Sequence, residues 1–92
     1  MYCILVYDIE MGEGGAKAAR NIFKICKKYL THIQKSVFEG EITEKHLEEL
    51  CAKAEKIIDK KKDSIIIFKI RQEEWLYKDC IGKEKNILNN IL

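Results

Sequence analysis

Asp8 is the carboxylate best placed to do chemistry. It closes an apolar run, Tyr2-Cys3-Ile4-Leu5-Val6-Tyr7, and stands just before a loop, Glu10-Met11-Gly12-Glu13-Gly14-Gly15, in which three of six residues are glycine. A carboxylate at the C-terminal end of a central strand is half shielded by its neighbours yet open to a ligand, a position that suits a magnesium-binding oxygen. One carboxylate alone holds magnesium weakly. Two copies of the chain facing each other across an axis would bring two Asp8 side chains to one ion, with water and phosphate oxygens completing the octahedron. The same position also suits an Asp that merely caps the following loop.

A second group is cationic. Residues 1–15 carry three acids and no base, whereas residues 16–38 carry six bases and no acid. On a helix, Lys17, Arg20, Lys24, Lys27 and Lys28 fall within an arc of roughly 100°. Five cations on one stripe suit a phosphate backbone. An ordinary amphipathic helix also shows a charged outer face, but such faces usually mix signs. Segregated charge of this kind makes a basic face on a molecule whose net charge is only +2.

The remaining chemistry-bearing residues point elsewhere. Gly12-Glu13-Gly14-Gly15 lacks the Lys-Ser/Thr of a phosphate-binding loop, and Glu13 would repel phosphate. Cys3, Cys26, Cys51 and Cys80 have no paired spacing, so a zinc site is not expected and the thiols read as reduced, mostly buried small hydrophobes of a cytosolic protein. His32 and His46 have no partner at ligand spacing and read as structural or surface residues. Trp75 and Tyr77 share one face of their segment and read as packing residues rather than base-stacking ones.

The elements that must position these groups follow from periodicity. Tyr2 to Ile9 reads as a strand buried on both faces, hence central. Ala16 to Leu30 is a helix, its apolar stripe running through Ala19, Ile22, Phe23 and Cys26. Thr31 to Glu39 alternates as a second strand, Gly40 marks a turn, and Glu41-Ile42 leaves a stub of a third. Thr43 caps a second helix, with Leu47, Leu50, Cys51, Ala54, Ile57 and Ile58 inside and Lys60-Lys61-Lys62 at its C-terminal end. Ser64 to Arg71 is a fourth strand, and Trp75 to Ile81 reads as a further one ended by Gly82.

That order gives an α+β chain: a ferredoxin-like βαββαβ domain over residues 1–82, two helices on one face of an antiparallel sheet, with an extra C-terminal strand and a tail over 83–92. Ninety-two residues hold one core. No apolar run reaches membrane-spanning length and no export signal is visible, which points to the cytoplasm and away from a membrane. Two helices cover one sheet face only, yet the first and fourth strands are apolar on both, so a homodimer is expected.

A family resemblance rests on particular residues. Gln34-Lys35-Ser36-Val37-Phe38-Glu39-Gly40 follows a basic helix ending Lys28-Tyr29-Leu30. With Tyr7-Asp8-Ile9, Asp63-Ser64-Ile65-Ile66-Ile67-Phe68 and Ile81-Gly82, it resembles the CRISPR-associated protein two family, the small partner of the CRISPR integrase. The resemblance spans about residues 1–82. It implies a homodimer whose last strand, with the tail 83–92, packs on the partner. It also implies a role in capturing new spacers, bridging integrase dimers and the DNA between them. Some members look like magnesium-dependent endonucleases or endoribonucleases, and Asp8 matches their metal ligand and catalytic residue. Gln34, Ser36 and Phe38 match residues near the dimer interface, and Arg20 fits the basic first helix. A non-catalytic DNA-binding scaffold and a toxin-like ribonuclease on the same fold are the alternatives. An RNA-recognition sheet is disfavoured, because Ile65 to Ile70 lacks the glycine-flanked aromatics it needs.

Overall fold

The computed structural model describes residues 1–83. Its order is β1 (Tyr2–Asp8), α1 (Gly15–Tyr29), β2 (Thr31–Gln34), β3 (Val37–Glu41), α2 (Glu44–Ile57), β4 (Ser64–Ile70) and a short 3-10 turn at Glu73–Trp75. The strands form one antiparallel sheet in the order β2-β3-β1-β4, so β1 is central, as expected. This is the βαββαβ arrangement.

Alternation along the strands decides what each face carries. Cys3, Leu5 and Tyr7 of β1 point under the helices with Phe38 of β3. There they meet Ile22 and Cys26 of α1 and Leu47, Leu50 and Ala54 of α2, all buried. Tyr2, Ile4, Val6 and Asp8 form the opposite row, flanked by Val37 and Glu39 on one side and Ile66 and Phe68 on the other.

Local chemistry sets the helix ends. α1 starts without a side-chain cap: Gly14 takes the left-handed conformation at φ 82°, which glycine adopts without steric cost. A Cβ on Gly15 would lie 2.4 Å from the Glu10 carbonyl oxygen, so the β1–α1 loop closes on the helix only with glycine there. α2 starts on Thr43, whose Oγ1 accepts the His46 N–H at 3.1 Å.

Four expectations from the sequence require correction. Thr31 to Glu39 is a hairpin rather than one strand, turning at Lys35–Ser36 with Lys35 at φ 41°. The turn carries no Gly, Asn or Asp, and the Lys35 carbonyl is bound by His32 Nε2 at 2.9 Å. Gly40 is not a turn; it lies in β3, paired with Cys3 of β1, and a Leu30 side-chain carbon lies 3.4 Å from where a Cβ would stand. α2 stops at Ile57, so Lys60-Lys61-Lys62 lie beyond it, in the turn leading to β4. Trp75 to Ile81 is not a strand: after the 3-10 turn the chain is irregular, and Tyr77 and Ile81 are 91% and 99% exposed. A strand needs a ladder partner, and this segment has none among the described residues. The tail beyond Lys83, expected to pack on a partner, lies outside the described residues.

Candidate active site and nucleic-acid interface

Asp8 ends β1 opposite Ser64, the first residue of β4. It is exposed, on the sheet face that no helix covers, and its carboxylate has no partner among the described residues. Two loops converge on this end of the sheet. The Tyr7 N–H donates to the Ser36 carbonyl at 3.1 Å, which holds the Lys35–Ser36 turn beside the end of β1. Beyond Asp8, the Glu10 N–H donates to Asp63 Oδ1 at 2.9 Å, while the Asp59 N–H donates to Asp63 Oδ2 at 2.9 Å. Asp63 therefore ties the chain leaving β1 to the chain entering β4.

Those N–H groups, Asp59 first and Glu10 second, hold the Asp63 carboxyl below its ordinary value. A lowered carboxylate pKa makes the tie complete at neutral pH, and it is lost as pH falls through that lowered value.

The donor set at Asp8 suits a hard cation, since magnesium is commonly held by one or two carboxylates with water and phosphate oxygens. Among the described residues, no group of three or more His, Cys, Asp or Glu converges to hold a metal ion. One chain offers a single carboxylate at this point, and any further ligands come from a second copy or from substrate.

The α1 bases Lys17, Arg20, Lys24, Lys27 and Lys28 are all exposed, and none forms an ion pair with the described acids. α1 contains no acid, and Lys27 and Lys28 sit in its last turn, where cations suit the dipole. Lys27 Nζ also lies 5.7 Å from the Phe23 ring centre. The fold does not bring this stripe together with Asp8. The helices cover one face of the sheet, and Asp8 continues the row on the other.

The three residues expected near an interface take different places. Gln34 is exposed opposite Val37, and Ser36 is partly buried in the turn. Phe38 is fully buried, its ring against those of Tyr7, Phe23 and His32, so its side chain serves the core and has no surface to offer a partner. The thiols behave as read, save one: Cys3 and Cys26 are buried and Cys51 partly so, but Cys80 is exposed. Burial, then the neighbouring thiols Cys3 and Cys51, pushes Cys26 up to about 12.

Sequence reasoning missed two features. Asp63 gave no signal as a tie because its partner Glu10 lies 53 residues away. Glu39 gave none either. It is a buried carboxylate on the open face, ion-paired with Lys78. Burial, then the Glu39 charge, raises the Tyr2 phenol above its ordinary value.

This fold and motif set has close counterparts. A sequence profile described as CRISPR associated protein Cas2 matches residues 1–77. The chain belongs to the Cas2 family. A Cas2 from Fusobacterium nucleatum, named a CRISPR-associated endoribonuclease, is 46% identical over 92 residues, covering all of this chain and 87% of that one. A relative of the same name from Pyrococcus furiosus is 35% identical over the whole of both chains. The crystal structure of Streptococcus pyogenes Cas2 at pH 6.5 superposes with a TM-score of 0.80 at 28% identity, covering 89% of this chain and 100% of that one. Among the described residues no helix is long and apolar enough to cross a membrane.

Proposed function

We propose that this Cas2-family chain is a magnesium-dependent endoribonuclease of CRISPR adaptation, acting in the cytoplasm as a homodimer with Asp8 as its metal-holding residue. The observation that carries this reading is the exposed Asp8, without a side-chain partner among the described residues, at the lip of an apolar sheet face. Ile66 and Phe68 on that face are 54% and 55% exposed. A second copy laid across it would cover these side chains and set two Asp8 carboxylates near one axis. The endoribonuclease name carried by the relatives supports the reaction and its substrate. When bound, magnesium would supply a Lewis acid for the phosphodiester and a water of lowered pKa. Asp8 would orient the ion, and the covered apolar face would exclude water on one side and so strengthen the carboxylate's hold. Asp8→Ala should abolish cleavage of RNA across a magnesium titration while leaving the protein folded. Cleavage by the purified variant at the wild-type rate would sink the proposal.

A second reading, compatible with the first, is a structural adaptor that binds duplex DNA and sets the spacing of integrase dimers. The acid-free α1 stripe favours it. Replacing Lys17, Arg20 and Lys24 by Ala should weaken duplex binding and make its salt dependence shallower, by about 3 in logarithmic slope. An unchanged slope would count against a role for the stripe.

A further inference from the structure

The turn between α2 and β4 has no role in the reading above, yet it is built onto Asp8's end of the sheet. It begins after α2 stops at Ile57 and ends at Ser64, the cross-strand partner of Asp8. Its backbone is closed on itself by three bonds: the Asp63 and Lys62 N–H groups donate to the Asp59 carbonyl at 2.7 and 2.9 Å, and the Lys61 N–H donates to Asp59 Oδ1 at 3.0 Å. Asp63 then fastens the turn to the Glu10 N–H, two residues past Asp8. The turn is an ordered platform.

Three consecutive cations stand on it. Lys60, Lys61 and Lys62 are all exposed. They lie past the helix end, so helix-dipole compensation does not account for them. The acids around them do little to neutralise them. Lys60 and Lys62 approach Glu55 and Asp59 only at 3.8 and 4.0 Å, in exposed pairs worth little. Lys61 has no ion-pair partner among the described residues. Asp59 and Asp63 already accept backbone N–H bonds.

From this placement we infer that Lys60, Lys61 and Lys62 form a phosphate-anchoring turn that holds the single-stranded RNA to be cut at Asp8. The inference rests on Asp8 as the site of cleavage. It assigns the helix stripe and the turn to different strands of nucleic acid, because they lie on different parts of the molecule. Cations on a turn at the same end of the sheet as Asp8 also lower the repulsion an incoming phosphodiester meets there.

The test replaces all three residues together (Lys60→Gln, Lys61→Gln, Lys62→Gln) and measures cleavage of a single-stranded RNA together with binding of that RNA over a range of salt. KM should rise about ten-fold, with the loss falling on KM rather than kcat, and the logarithmic salt slope of binding should become shallower by about 2. Unchanged affinity and slope would overturn the inference, as would a loss confined to kcat. The same substitutions placed in Asp8→Asn protein keep the two proposals apart. Binding in that background must fall by the same factor if the turn anchors RNA. Wild-type cleavage by Asp8→Asn alone removes the active-site reading. Asp63→Asn, which retains the lysines but weakens their platform, should give a smaller affinity loss, and no loss would overturn the role of the tie.

Discussion

The two faces of the sheet are made from the same kinds of residue and end in opposite states. Under the helices, Leu5 and Phe38 are excluded from solvent, at 1% and 0% exposure. On the other face, Ile66 and Phe68 remain half exposed although they belong to a strand that pairs with the same β1. Strand patterning therefore states that both faces are apolar, but only helices at the right place in the chain cover one of them. The uncovered face is where this molecule has surface energy left to use, and Asp8 sits at its edge.

The comparison is broken most directly by equal truncations on the two faces. Phe38→Ala removes a fully buried ring and should cost about 3–5 kcal/mol in chemical denaturation. Phe68→Ala should cost less within one chain and, on the proposed homodimer, shift the protein towards monomer in sedimentation, with its far-ultraviolet circular dichroism unchanged. Equal losses from the two, with no change in association, would mean that the faces do not differ as described.

A smaller effect is expected from Lys78→Ala. It strips the ammonium from the buried Glu39 carboxylate on the open face. Leaving that acceptor without its charged partner should cost about 1–3 kcal/mol. A cost near zero would show that the segment around Lys78 does not stay on the sheet.

Thiol reactivity sharpens the comparison without altering stability. With Cys26 pushed up to about 12, its thiol stays neutral, and so unreactive, at pH 8. Exposed Cys80 should react with an alkylating reagent first, while Cys3 and Cys26 should react only on unfolding. The sign for stability follows: the fold favours the neutral Cys26 thiol, so its contribution is present below the ordinary value of 9.0 and lost as pH rises through about 12. Early labelling of Cys26 in the folded protein would contradict the buried core.

Legibility tracked the range of the interactions. α1, β1, β4 and the start of α2 were read closely because each rests on a local period or a local cap: Gly15–Tyr29 against an expected Ala16 to Leu30, and Ser64–Ile70 against Ser64 to Arg71. The hairpin was not, because its turn at Lys35–Ser36 carries no Gly, Asn, Asp or Pro, and Ser36 alone is a weak turn signal inside an alternating run. Gly40, which looked like the turn, instead pairs with Cys3 inside β3 and packs beside Leu30. The exposure of Asp8 and of the α1 stripe was anticipated from sequence. That they lie on opposite sides of the sheet was not, since two separated periodic segments carry no statement of their relative placement.

By itself, then, the sequence determined the element order as far as β4, the acid-free basic helix, the Thr43 cap and an acid at the end of a central strand. Each of these depends on residues within a few positions of one another. Only the tertiary structure decided that Phe38 belongs to the core, that Glu39 is buried against Lys78, and that Asp63 brings a lysine turn to Asp8's end of the sheet. Those outcomes depend on pairs about 40 and 53 residues apart or on which face of the sheet a helix covers, and no local pattern of side chains encodes either.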